Sequence, residues 1–383
     1  MKFYTNTYID NILNNTIDGK YLFHYLFIIT YIRTYRFKDR RYSKDDFVPV
    51  NIKTLRKLIS HDHTIQFVKE LIDLGLIETN NIFSRKKHIS TGYRLSKEVL
   101  NYKFYIPEET DEKLNNKIKR VYDKLKLKVI EDDSTGYGYV TECMEDLVID
   151  KELAYTELTH LDEDTKEVAE LAIDNFEDKF CTVDKTGNRL HNNLTNLYSP
   201  LRKHLSYKGE KLVQGDIRNS QLIFLYLLMR ECSIDDEELD KFRDVVCDYG
   251  FYEFFAEKMG VNLTEELRKE FKINIFEKLL FGSNKTELSE TEEIFKREFP
   301  SIFYVIRSIK THNYKDLSIM LQRKESQFIF SCVRRLDKSI PLFTIHDSIV
   351  TTVGNEQKVF NALILEFYTN FGIKPKIKIE KFA

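Results

Sequence analysis

The sequence predicts an α+β protein, and three observations carry that reading. Residues 105–180 are charged and mostly helical in pattern. Further on, Lys211-Leu212-Val213-Gln214-Gly215-Asp216-Ile217 reads as a short apolar strand running into an acid, followed by the helical run Asn219-Ser220-Gln221-Leu222-Ile223-Phe224-Leu225. Over 341–353, two β-rich runs flank His346-Asp347-Ser348, the pattern of a hairpin with an acid at its tight turn.

Composition bounds the rest. A chain of 383 residues has room for two to three domains. Its 42% hydrophobic and 31% charged residues describe a soluble globular protein. The net charge of −2 provides no global basic field, so any nucleic-acid surface has to be local. Cys143, Cys181, Cys232, Cys247 and Cys332 are scattered without a CxxC pair, which argues against a zinc site or a disulfide framework and fits a reducing compartment. The most apolar early run, 21–32, carries His24 and is too short to span a bilayer, and no signal peptide precedes it. The expectation is a cytoplasmic protein with no membrane partner.

Residues 1–45 read as helical and end in a basic patch of Arg36, Lys38, Arg40 and Arg41. A short helix is expected over 54–60 with Thr54 as its cap, then a second over 64–74 stopped by Gly75. Leu76-Ile77 starts a strand, Arg85, Lys86, Lys87 and His88 follow, and Tyr93-Arg94-Leu95 returns. This order resembles a winged helix-turn-helix, with 71–78 as the recognition helix entering the wing. The resemblance implies a nucleic-acid-binding domain over 1–98, with Arg85, Lys86 and Lys87 on duplex phosphates. His61-Asp62-His63 has the residue types of a metal site but no further ligand nearby in sequence. Residues 99–185, with an acidic stretch at 162–178, read as a connector and thumb-like helices, and 186–383 as the segment that carries the chemistry.

His346-Asp347-Ser348 resembles motif C of the family A DNA polymerases and single-subunit phage RNA polymerases, and Gly215-Asp216-Ile217-Arg218-Asn219-Ser220-Gln221 resembles their motif A. Thr186-Gly187-Asn188-Arg189-Leu190 with Asn193-Leu194-Thr195-Asn196-Leu197 is similar to the stretch that touches the primer–template minor groove in that family. Leu321-Gln322 with Glu325-Ser326 is similar to the helix that precedes motif C. The resemblance spans 186–353. It implies a right-hand polymerase, with an antiparallel palm sheet and helical fingers and thumb. It also implies two Mg²⁺ ions, replaceable by Mn²⁺, on Asp216, Asp347 and the backbone carbonyl of Ile217. Two-metal transfer needs cations about 4 Å apart, and Mg²⁺ keeps most of its shell for water and phosphate, so two fixed carboxylates suffice. Arg189, Asn196, Gln322 and His346 are the implied primer–template contacts.

A fingers helix has to show cations and an aromatic at four-residue intervals, because those positions share one helical face. Arg268, Lys272 and Phe276 have that spacing. The family's next position is Tyr-Gly; here Leu280 stands there and Phe281-Gly282 comes one residue later. Either a one-residue insertion gives Phe281 the Tyr role, or that ring is missing. Gln221 occupies the fifth position after Asp216, where the resemblance places the residue that crowds the ribose 2′-position. No acidic constellation upstream reads as a 3′–5′ exonuclease.

The resulting expectation is a DNA polymerase without proofreading, acting on a primed DNA template or a DNA/RNA hybrid with nucleoside triphosphates. Size and Lys/Asn/Ile usage suggest a phage or mobile element in a bacterial host cell. Ser348 in place of the DNA polymerases' Glu supports an RNA polymerase or primase as the near alternative. A DNA-binding initiation or regulatory protein with a degenerate palm is the alternative from another class.

Overall fold

The computed structural model describes residues 2–38, 42–84, 90–131, 134–232 and 234–382, with the backbone alone at 37, 38 and 249. Helices and small antiparallel sheets are distributed over two compact units. The first comprises Met1–Glu131, Glu145–Thr182 and Asn192–Lys208; the second comprises Asp132–Met144, Val183–His191 and Gly209–Ala383.

In the first unit, α1 (Thr7–Thr16) is capped by Asn6, whose side chain accepts from the Ile9 N–H at 2.9 Å. Helix α2 (Leu22–Lys38) is buried from Tyr25 through Ile29, which is why its apolar residues show no single stripe. Around it lie β1 (Val48–Pro49), α3 (Ile52–Leu58), α4 (Thr64–Asp73), β2 (Ile77–Thr79) and β3 (Gly92–Leu95). The strands pair antiparallel in the order β1-β3-β2, and Pro49 sits on an edge, where its missing N–H costs no ladder bond. Helix α3 starts earlier than the sequence suggests because Asn51, not Thr54, caps it, accepting from the Lys53 N–H at 3.0 Å. After α4 the chain turns at Gly75, with φ at 68°. Arg94 on β3 bonds Glu78 on β2 and the Asp45 carbonyl, both at 2.8 Å.

The basic patch expected at the end of the first helical segment is not a surface at Arg36. That side chain is buried and reaches Glu167 at 2.5 Å, beside Arg33 at 2.9 Å. Glu167 lies on α6 (Glu163–Asp174), so the acidic stretch neutralises these arginines from within the unit. The Lys38 side chain, Arg40 and Arg41 lie outside the described residues. Ahead of α6 in the chain, α5 (Glu112–Glu131) exposes Lys113, Lys117, Arg120 and Lys124 along a shallow groove.

The second unit is built on a four-stranded antiparallel sheet ordered β7-β4-β6-β5, from β4 (Leu212–Ile217), β5 (Phe343–Ile345), β6 (Ser348–Thr352) and β7 (Ile377–Lys381). Helices α7 (Ser220–Met229), α9 (Asp316–Arg335) and α10 (Glu356–Phe371) pack together through Phe224, Phe328 and Phe367, with the last two ring centroids 4.0 Å apart. Every residue of α7 except Gln221 is buried. A separate aromatic cluster, including Phe242, Phe255, Phe295 and Phe299, holds the helices between α7 and α9, among them α8 (Glu265–Lys272). Among the described residues, no helix is long and apolar enough to cross a membrane.

Side chains alternate along a strand, so Gly215 and Asp216 face opposite sides of β4. A Cβ at Gly215 would enter the buried Phe360 ring of α10. The α10 side of the sheet is therefore closed tightly, which leaves Asp216 on the other side. Gly215→Ala should destabilise the protein by about 1–3 kcal/mol through overpacking. Urea titration of Gly215→Ala, Phe360→Leu and the pair checks this: the double variant should recover part of the loss, and strict additivity would show that the ring is not the obstacle.

Candidate active site

Asp216 is the next-to-last residue of the inner strand β4. It stands opposite Ser348 of β6 on one side and Lys378 of β7 on the other. Ser348 also pairs with Ile345 of β5, so the connection between β5 and β6 is the two-residue turn His346-Asp347. Two-residue hairpin loops need left-handed backbone, and His346 supplies it with φ at 53°. The register thus sets Asp347 immediately before the residue that faces Asp216.

Hydroxyl groups hold both carboxylates. Ser348 Oγ donates to Asp216 Oδ1 at 2.7 Å and accepts from Gln214 Nε2 at 2.9 Å, while Ser220 Oγ donates to Asp347 Oδ2. Burial pushes the Asp216 carboxyl above its ordinary range; the Ser348 bond opposes this, and Asp347 and Glu380 add to it. Among the described residues neither aspartate forms an ion pair, so two half-buried acids face each other with only neutral donors bonded to them. An oxygen-only pair with mutually repelling charges suits hard divalent cations. Among the described residues no group of three or more His, Cys, Asp or Glu side chains is gathered as a metal centre, so ions held by this pair would complete their shells with backbone, water or phosphate oxygens. Ile217, expected to offer its carbonyl, ends β4 opposite Ile377 with its side chain buried.

Glu325 has no role legible in the sequence. It lies on α9, is 1% exposed, and accepts through Oε1 from Arg189 Nε at 2.9 Å and from Arg189 Nη2. Its Oε2 accepts from Gln221 Nε2. Burial pushes the Glu325 carboxyl up to about 7, against the pull of Arg189 and with a contribution from Asp347. Arg189, expected on the minor groove, therefore has two of its nitrogens on a buried carboxylate. Its loop docks on α9 as well: Arg323 Nε donates to the Thr186 carbonyl at 2.7 Å and Ser326 Oγ to the Asn188 carbonyl at 2.5 Å. Gly187 lies close to Gln322, since a Cβ there would meet Gln322 Oε1 at 2.6 Å.

No protein-family model matches the sequence, and no curated protein matches it. Among solved structures, the chain is similar to the POL domain of Pol1 from M. smegmatis in complex with DNA primer-template and dNTP. That likeness has a TM-score of 0.42 and 11% identity, over 69% of this chain and 66% of that one. The chain therefore spans a little under two thirds of that structure.

The expected fingers face is altered in two ways. Arg268 bonds Glu253 at 2.6 Å and lies over the Tyr252 ring, so its guanidinium already has a carboxylate partner. The α-helical spacing also stops at Lys272, where α8 continues as a π-helix over Ile273–Leu280. Bonds in a π-helix run from i to i+5, so one residue more fits in a turn. Phe281 N–H accordingly donates to the Phe276 carbonyl at 2.9 Å, and the two rings lie 6.0 Å apart. The widened turn thus makes Phe276 and Phe281 neighbours. Lys272 is exposed and, among the described residues, forms no ion pair.

His346 is exposed, with its ring 5.9 Å from that of His191. Gln322 is half-buried on α9. Asn196 ends a short capped helix in the first unit. Arg85, Lys86 and Lys87 lie outside the described residues. His61 and Asp62 bond each other at 3.0 Å on an exposed turn, with no metal cluster among the described residues.

Proposed function

We propose that this chain is a template-dependent nucleotidyltransferase of family A type that extends a primed DNA template without proofreading, and that it comes from a phage or mobile element. The observation that carries the reading is that Asp216, at the end of β4, stands opposite Ser348, the residue that follows Asp347 in the hairpin turn. The acids sit on a strand and on the adjoining hairpin turn, each tethered by a hydroxyl, without a cation bonded to them among the described residues.

Asp216 and Asp347, with the Ile217 carbonyl, would hold two Mg²⁺ ions, or Mn²⁺ in their place. When bound, such ions activate a primer 3′-hydroxyl and offset charge on the triphosphate. Ser348 and Ser220 keep the carboxylate oxygens oriented, so less reorganisation is needed when substrate arrives. Lys272 attracts the triphosphate, with Arg268 joining only by leaving Glu253. The Phe276 and Phe281 rings offer a stacking surface for the incoming base. Gln221 meets the sugar, while Gln322, His346 and Asn196 contact primer and template, joined by the side of Arg189 that Glu325 leaves open. In the first unit, α3, α4 and the β2–β3 hairpin suit a winged-helix reading. Arg85, Lys86 and Lys87, which lie between β2 and β3 in sequence and outside the described residues, and the lysines of α5 would give phosphate contacts and salt-dependent duplex affinity.

Ser348 supports the RNA polymerase or primase reading of the same site, since its hydroxyl is committed to Asp216 where the DNA polymerases carry a carboxylate. The deciding experiment offers the purified chain DNA and RNA primers on a DNA template with either nucleotide type. Metal-dependent extension, abolished by chelation, is expected with deoxynucleotides. A clear preference for ribonucleotides would move the assignment to the RNA polymerase reading. Duplex binding without any extension would leave a DNA-binding protein with a degenerate palm.

A further inference from the structure

Lys310 caps the helix Pro300–Ile309 and is only 4% exposed. Its amine donates to the Leu279 carbonyl and, at 2.8 Å, to the Gly282 carbonyl, and among the described residues it forms no ion pair. Burial pushes that amine down to about 8; Arg307 adds to the effect and Glu292 opposes it. A buried charge without a carboxylate needs oxygen dipoles around it, and the last carbonyls of a helix, which lack partners within it, supply them. Lys310 thus sits on the C-terminal end of the π-helix Ile273–Leu280. Two further bonds stitch the following loop to the same helix: Arg307 Nη1 donates to the Lys285 carbonyl and Asn284 Nδ2 to the Arg307 carbonyl, both at 2.9 Å.

This segment has two registers open to it. In an α-helix the Phe281 N–H would bond the Glu277 carbonyl, and residues five apart would stand about 140° apart around the axis. Here it bonds the Phe276 carbonyl, and the two rings lie 6.0 Å apart. The π form is rare in ordinary helices, so contacts from outside the helix have to hold it. A return to the α register would rotate every residue beyond the widened turn and carry the Leu279 and Gly282 carbonyls off the Lys310 amine.

We propose that Lys310 is a positioning residue that holds Ile273–Leu280 in the π register and so keeps Phe276 and Phe281 side by side. Its two bonds are made in that register alone, and bonds from a charged donor are the strong ones, so they weight the π form against the α form. The register stands on this geometry; that the paired rings serve an incoming base rests on the nucleotidyltransferase reading.

The test uses the full chain at pH 7, where the amine is charged, with fluorophenylalanine incorporated for fluorine NMR. The Phe276 signal is assigned by its loss in Phe276→Leu, and its shift in Phe281→Leu reports the ring contact. Wild type should show that shift. Lys310→Met keeps most of the volume without the charge and should lose it, with the α register gaining at least about tenfold, the scale of one bond from a charged group. Lys310→Arg should keep the shift, and Lys310→Gln, also neutral, carries the same comparison if Lys310→Met fails to fold. Ring contact retained in the neutral variants would overturn the proposal. So would a lowered melting temperature with the rings still together, the signature of a lysine that only supports the core. Primer extension by the same variants judges the functional reading separately: rings parted with nucleotide KM unchanged would remove them from the substrate and leave Lys310 in its role.

Discussion

Asp216→Asn and Asp347→Asn should each lower magnesium-dependent extension by at least several hundredfold, about 3–4 kcal/mol or more in the barrier, while leaving the fold intact. Each change removes half of the charge that would hold the cations and keeps the volume and the hydroxyl bond from Ser348 or Ser220. For Asp216 the effect on stability has a definite sign. Its folded-state value is raised by burial and then by Asp347 and Glu380, so the fold disfavours the charged form. Such a group gives stability that is fully present in acid and is lost as the pH rises through the folded-state value. Asparagine never ionises, so Asp216→Asn should melt no lower than wild type at neutral pH, with a flatter dependence of stability on pH. Added Mg²⁺ should raise the melting temperature of wild type and fail to raise that of either variant. Near-normal synthesis by either variant would retire the active-site assignment, and collapse of the fold at neutral pH would mean that the carboxylates are structural.

Phe367→Ala should cost about 3–5 kcal/mol, the range for emptying a buried phenylalanine site. Phe367 is 0% exposed, and its ring meets Phe328 at 4.0 Å, Phe371 at 5.6 Å and Phe224 at 5.9 Å. These rings join α7 and α9, which carry Ser220, Gln221 and Glu325, to α10, whose Phe360 ring closes the sheet at Gly215. The loss should therefore lower activity on warming well before it lowers activity in the cold, because the site is intact whenever the helices are docked. Urea unfolding followed by far-ultraviolet circular dichroism gives the energy. A loss below about 1 kcal/mol would show that the cavity collapses and that the cluster does not pin these helices.

The two aspartates were legible because their signals are local. A β-rich run ending in an acid, and two such runs around His-Asp-Ser, announce a strand end and a hairpin without knowledge of the rest of the chain. Their neighbourhood comes from the register, which sets Ser348 opposite Asp216 and Asp347 in the turn just before it. The partners of Arg189, Gln221 and Arg268 were not legible. Glu325 reaches Arg189 and Gln221 over sequence separations of 136 and 104, and no local pattern encodes which carboxylate a guanidinium will find. Arg268 has Glu265, Glu266 and Glu270 near it in sequence, yet Glu253 on the preceding helix is the carboxylate that takes it. The π-helix was visible only as a misfit of one residue at Leu280, since the α and π patterns agree until the extra residue has to be placed. Strand β7 was not legible because it is short, holds only two apolar residues, Ile377 and Ile379, and is mostly exposed. It nonetheless sets Lys378 beside Asp216.

The hairpin and the π-helix respond oppositely to a change in chain length. Between Ile345 and Ser348 the count of residues fixes a parity: one more, and every side chain of β6 exchanges faces, sending Ser348 towards Phe360 and away from Asp216. No later adjustment within the strand restores it. The helix after Lys272 has no such parity, because a turn can widen by one residue and hand the next ring back to the same side. Single-residue insertions and deletions scanned through the second unit should therefore be tolerated around Ile273–Leu280 and rejected at His346-Asp347. The acidic pair is thus guarded by arithmetic as much as by packing.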